Sequence, residues 1–182
     1  MSNLNGVNVE QLVGTINAIK EDPTIADFNF KARTTWIDGG HCKTEIQSFT
    51  GANQKDTSRE HPFVLEGDEP PVLLGKNHGV NAVEALLHAI GSCLSVGIVY
   101  NGAARGITIK SLSFDIDGDL NLHAFLGLSD TIRPGYSNIR VKINIDTDSS
   151  RDKVEELLKY VENTSPVVDC IRNPVPISLT IV

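Results

Sequence analysis

The chain has 182 residues, 40% of them hydrophobic and 21% charged, and a formal net charge of -7. That length supports one domain whose core needs no staples. The acidic balance excludes nucleic acid or an anionic membrane as the main partner, because both demand clustered Lys and Arg.

In chain order, Val9, Leu12, Val13, Ile16 and Ile19 form an apolar stripe, with Asn8 and Gln11 as a capping pair, predicting a helix that ends before Pro23. Residues 1–27 therefore read as an N-terminal helical extension ahead of a domain over 28–182. Met1 to Gly6 holds no basic segment followed by an apolar one, so no secretory signal is expected. Phe28–Trp36 and His41–Phe49 flank Asp38-Gly39-Gly40, which predicts a hairpin. Phe63–Leu65 reads as a short strand and Glu66–Val80, with its Gly, Asp and Pro residues, as a loop.

The longest apolar stretch, Asn81–Tyr100, predicts a helix: Val83, Leu86, Leu87, Ile90 and Leu94 recur at helical spacing. Glu84, His88 and many small residues make it a core helix rather than a membrane span. Gly91, Ser92, Ser95 and Gly97 lower helix propensity around Cys93, which points to close approach of another element. Beyond a break at Asn101-Gly102 or Gly106, Ile107 and Ile109 lie in one phase and Leu112, Phe114 and Ile116 in the other, predicting a bulge near Ser111. Ile139, Val141, Ile143 and Ile145 alternate with polar residues as a half-buried strand. Ser149 and Asp152 open a helix striped by Val154, Leu157, Leu158 and Val161, and Ser165-Pro166 opens a shorter one that Pro174 stops. Ile177, Leu179 and Ile181 predict a closing strand. This order, without regular β-α-β alternation, is α+β, with a largely antiparallel sheet against one long central helix.

Cys42, Cys93 and Cys170 are an odd number of thiols without metal-ligand spacing, so a cytoplasmic protein with reduced thiols and no metal is expected. Cys93 can be inert core or a shielded redox centre. It lies too deep in its helix for the N-terminal dipole to activate it, so a cation or donor must come from elsewhere. Glu84 stands about 900° of helical rotation from Cys93, roughly opposite the sulfur, and forms a capping box with Asn81. His88 is spaced to pair with Glu84. His41, Lys43 and Arg33 around the hairpin are candidate sources of positive charge, with exposed hairpin polarity as the plainer reading. Asp115-x-Asp117-x-Asp119 starts like a calcium loop, but Leu120 and Leu126 occupy the required Gly and Glu positions, leaving the solvent face of a strand.

Asp68-Glu-Pro-Pro71, Asn81-x-x-Glu84-x-Leu-Leu, Gly91-Ser-Cys93, and Ser165-Pro166-Val167 followed by Asn173-Pro-Val-Pro176 resemble the OsmC/Ohr family of thiol-dependent hydroperoxide reductases, over roughly Phe28 to Val182. The resemblance implies an intertwined homodimer with its active site at the subunit interface and no cofactor. It also implies a peroxidatic cysteine, a resolving cysteine, and an arginine and a glutamate that polarise the first thiolate. Cys93 matches the peroxidatic residue; Ser165 stands at the resolving position, Val83 at the glutamate, and His41 comes after the Gly-Gly turn where the arginine belongs. Cys170, five residues past Ser165, is a weak substitute for the resolving thiol. The chain thus supports two readings: reduction of organic hydroperoxides by Cys93 with an external thiol, or a non-catalytic relative that binds a small apolar ligand at the dimer interface.

Overall fold

The computed structural model describes residues 3–182; Met1 and Ser2, with which the expected extension begins, lie outside the described residues. Residues 8–86 form one compact unit, and residues 3–7 with 87–182 form a second.

Two short strands, β1 (Asn3–Leu4) and β2 (Val7–Asn8), precede helix α1 (Val9–Glu21). The Asn8 side chain caps α1 by accepting from the Gln11 amide at 3.0 Å, as the capping pair predicted. The stripe finds no cover, however: Val13 and Ile16 remain 43% and 40% exposed. The expected strand Phe28–Trp36 divides into β3 (Phe28–Asn29) and β4 (Arg33–Asp38). β4 turns at Asp38-Gly39-Gly40 into β5 (His41–Ile46), with Gly39 at φ 54° in the left-handed region. Next come β6 (Phe49–Gly51), β7 (Gln54–Asp56) and β8 (Phe63–Gly67). Two antiparallel sheets result, β3-β6-β7 and β4-β5-β8. Packing explains the split: Phe28 stacks with Phe30 and Phe49 and lies over Gly51, where a Cβ would come within 2.2 Å of its ring.

The loop after β8 is organised by one carboxylate. Asp68, 4% exposed, accepts from the amides of Glu69 (2.8 Å), Lys76 (3.0 Å) and His78 (3.1 Å), and meets His78 Nδ1 at 2.9 Å. The His78 amide, with those of Glu69 and Lys76 and the His78 ring, holds its carboxyl well below the usual carboxylate range.

Helix α2 (Ala82–Ala104) is, by length and composition, apolar enough to cross a bilayer. From Leu87 on it belongs to the second unit, where Ile90, Leu94 and Ile98 cluster with Leu157 and Val161 of helix α3 (Arg151–Thr164). Strands β9 (Ile109–Asp119) and β10 (Asn138–Thr147) pair antiparallel. Ser111 faces Asp146 and Ile109 faces Thr147, so Lys110 is the extra residue of the bulge expected beside it. Asn5 ties the N-terminal hairpin to this unit, donating to the Ile107 carbonyl at 2.9 Å and accepting from the Ile109 amide at 2.8 Å. The capping residue of α3 is Ser150, not Ser149, and its side chain makes no capping bond. Helix α4 (Pro166–Arg172) comes directly after it.

The expected strand at Ile177–Ile181 does not form. Ile177, Leu179 and Ile181 are 86%, 95% and 100% exposed, and no described strand pairs with them. Alternation marks a segment that can lie on a pleated surface, but a strand also requires an edge to bond to.

Candidate active site

Cys93 sits on α2 between core residues Ile90 and Leu94, and its own side chain is half-buried. Its sulfur lies 3.1 Å from the Ser165 hydroxyl, which is held in the short turn between α3 and α4. Ser165 is 5% exposed and caps α4, its oxygen accepting from the Val168 amide at 3.3 Å. Pro166 occupies the first helical position, where its missing N–H costs nothing. Small residues bring the two elements together: a Cβ on Gly97 would lie 2.6 Å from Val161 Cγ1, so α2 and α3 approach closely only because Gly97 has none. This is the close approach that Gly91, Ser92, Ser95 and Gly97 led one to expect.

The other candidates are engaged elsewhere. His41 pairs with Glu66 at 2.8 Å and stacks on His78 with ring centroids 4.4 Å apart, inside the first unit. Lys43 pairs with Glu45 at 3.4 Å, and Arg33 is exposed on β4. Glu84 accepts from the Asn81 amide at 2.9 Å while Asn81 Oδ1 accepts from the Val83 amide at 2.8 Å, completing the expected capping box. His88 does not take Glu84 as partner; its Nε2 meets Ser92 Oγ at 3.3 Å. Cys42 lies half-buried on β5, between Trp36 and Gly67 in the ladder. Cys170 is exposed on α4. Asp115, Asp117 and Asp119 face solvent on β9, where Arg140 bonds the last two. Among the described residues, no group of three or more His, Cys, Asp or Glu side chains could hold a metal ion.

An open groove is lined by Leu87, His88, Gly91, Ser92 and Ser95 of α2 and by Leu112, Phe114 and Ile116 of β9. Cys93 does not line it. Sequence reasoning missed the link between His78 and Asp68, although a single Asp opening a loop rich in Gly and Pro was the available signal.

The fold and the site together define an α+β protein with one half-buried helical thiol facing a buried hydroxyl. The family model for OsmC-like proteins matches residues 75–180, and this chain belongs to that family. Similar solved structures include an OsmC-like protein from Mycoplasma pneumoniae, 15% identical at a TM-score of 0.60, covering 80% of this chain and 89% of its own. An OsmC-like protein of unknown function from Vibrio cholerae is 10% identical at a TM-score of 0.59, covering 78% and 92%. An organic hydroperoxide resistance protein OsmC from Legionella pneumophila, described as a predicted redox protein, is 16% identical at a TM-score of 0.55, covering 80% and 90%. At these identities the likeness establishes the fold. No curated protein matches the sequence.

Proposed function

We propose that this chain is a cytoplasmic, homodimeric, thiol-dependent reductase of organic hydroperoxides in which Cys93 is the attacking residue. The observation that carries this reading is a half-buried thiol, in an OsmC-like chain, 3.1 Å from the residue that stands at the family's resolving position. The hydroperoxide-resistance description of the Legionella pneumophila relative supports the same direction. The Cys93 thiolate attacks the distal peroxide oxygen, the O–O bond breaks, and the leaving alkoxide takes a proton to become the alcohol. An external thiol then condenses with the sulfenic acid, releasing water, and a second thiol frees Cys93 as a disulfide of the two reductants leaves.

A second copy of the chain completes the protein. In the second unit, Val96 and Tyr100 of α2 are 54% and 47% exposed, a poor solvent face for so apolar a helix. Obligate homodimers commonly bury more than about 2,000 Å² in total. Sedimentation is expected to show a dimer at low micromolar concentration; a stable folded monomer there contradicts it.

The direct test of chemistry is anaerobic titration with an organic hydroperoxide, then mass analysis of Cys93, Cys42 and Cys170. Sulfenic acid on Cys93 supports the reductase, and an unreacted thiol rejects it. The groove, which sets Leu87, Leu112, Phe114 and Ile116 beside His88, Ser92 and Ser95, favours a second reading, a non-catalytic protein that holds a small apolar ligand there. An inert Cys93 together with saturable binding of an apolar probe would select that reading.

A further inference from the structure

We infer that Ser165 is a catalytic residue of this thiol site: its hydroxyl donates a hydrogen bond to the Cys93 thiolate and then to the sulfenic acid that replaces it. The inference rests on the reductase reading above. A hydroxyl has one proton and two lone pairs. One lone pair of Ser165 is taken by the Val168 amide at 3.3 Å, so the proton needs a different partner. Ser165 is 5% exposed, and leaving that proton unbonded would cost its full desolvation penalty. The sulfur of Cys93, at 3.1 Å, is the acceptor the second unit offers it. If the thiol donated instead, the Ser165 proton would be left over and buried. Either atom could donate across this contact, and burial of the hydroxyl is the reason we assign Ser165 as donor and sulfur as acceptor.

A neutral thiol is a poor acceptor, whereas a thiolate makes a charge-assisted bond. A thiolate formed at Cys93 during reaction therefore meets a hydroxyl already in place at 3.1 Å. The geometry is held from both sides, because Gly97 lies one turn beyond Cys93 and Val161 one turn before Ser165, and these two residues set the spacing of α2 and α3.

The hydroxyl also sets the fate of the oxidised sulfur. Oxygen cannot resolve a sulfenic acid as a disulfide, so Cys93–SOH waits for a low-molecular-weight thiol. That thiol forms the S–S bond and expels water, and a second equivalent exchanges Cys93 back to the thiol.

The experiment compares wild type with Ser165→Gly, Ser165→Thr and Ser165→Cys, using two readouts. Glycine is a tolerated helix cap, so Ser165→Gly removes the hydroxyl while sparing α4. The first readout is the rate of Cys93 alkylation by iodoacetamide at neutral pH, which needs no peroxide. Losing a hydrogen bond to a charged acceptor costs about tenfold or more. A less stabilised thiolate is also more nucleophilic, so about half of that effect survives in the rate. Ser165→Gly is expected to be roughly three- to tenfold slower, with Ser165→Thr restoring the rate.

The second readout is the Cys93 product after one equivalent of tert-butyl hydroperoxide, trapped with dimedone. Wild type is expected to give the sulfenic adduct. Ser165→Cys is expected to give a disulfide between Cys93 and the introduced thiol. Wild-type alkylation and oxidation rates in a folded Ser165→Gly variant overturn the role of Ser165 alone. A wild-type Cys93 that is alkylated but never oxidised overturns the reductase reading, and the catalytic role with it. A folded Ser165→Cys variant that still accumulates the sulfenic adduct contradicts the contact itself.

Discussion

Asp68 and Ser165 are the buried polar side chains of the described residues, at 4% and 5% exposure, yet they differ in what they face. Asp68 is closed on itself: three amides and one imidazole of its own loop converge on it. Every donor it meets lies within ten residues along the chain, so it fixes a loop and nothing more. Ser165 is satisfied once by its own helix and once by a sulfur 72 residues away. A buried polar group whose partners are all local backbone is architecture. One whose remaining partner is a thiol from another element is a candidate for chemistry.

Cys93→Ser breaks the second member of this pair most completely. It exchanges sulfur for a hydroxyl of nearly the same shape, which can still accept from Ser165, so the fold should survive. Hydroperoxide consumption should vanish, with far-UV circular dichroism and sedimentation unchanged. Residual turnover at the wild-type rate would place the chemistry on another residue.

Asp68→Asn tests the first member, and its effect should fall on stability. Asparagine puts an NH2 group where the Lys76 and His78 amides donate, leaving donors face to face in a buried site. The thermal midpoint should drop at neutral pH. The pH dependence has a definite sign. Asp68 is held below its usual value of 3.8, so its contribution is complete above that pH and is lost as pH falls toward the folded value. The gap between wild type and Asp68→Asn should therefore narrow on acidification from about pH 5 to about pH 2. A gap that stays constant over that range would show that Asp68 acts without its charge.

These two sites also show which parts of the molecule the sequence makes legible. Local patterns read well: the cap at Asn8, the capping box at Asn81 and Glu84, the phase change that marks the bulge at Lys110, and the alternation of β10. Each depends on neighbours within a few residues or on one adjacent strand. Statements about who covers whom read poorly. Ile177, Leu179 and Ile181 alternate as cleanly as Ile139, Val141 and Ile143, yet one set has β9 beside it and the other has no described strand. Phe28 leaves the strand it was expected to share with Trp36 because its ring is claimed by Gly51, Phe30 and Phe49. At the site, the family resemblance placed Ser165 opposite Cys93. How deeply Ser165 is buried beside that sulfur could not be seen there, because it depends on the packing of α2 against α3.

Glu84→Gln should have a much smaller effect, and it sharpens the comparison from the side of architecture. Glu84 resembles Asp68 in kind, since its carboxylate is spent on the Asn81 amide three residues earlier. Glutamine serves the same position in a capping box. Hydroperoxide turnover should stay close to wild type, with at most a slight fall in thermal midpoint. A large loss of turnover in a stable Glu84→Gln protein would show that this carboxylate reaches the reaction after all.

Cys170→Ser should change least, and it asks whether Ser165 alone faces the oxidised sulfur. Cys170 lies five residues beyond Ser165, an offset of about 7.5 Å along a helix and about 140° around it. Its side chain is exposed while Ser165 is buried against Cys93. A disulfide needs Cα atoms within roughly 7 Å and converging Cβ vectors, so bridging Cys93 to Cys170 would require α4 to unwind. Ser165 and Pro166 fix the start of that helix, and the Asn173 amide closes its end on the Asp169 carbonyl at 2.8 Å. Peroxide-treated wild type mapped under non-reducing conditions should therefore contain no dominant Cys93–Cys170 crosslink. Cys170→Ser should give the same yield of Cys93 sulfenic acid and the same demand for added thiol. A near-stoichiometric Cys93–Cys170 disulfide would restore a two-cysteine mechanism and reduce Ser165 to what Asp68 is, a buried polar group that shapes its own segment.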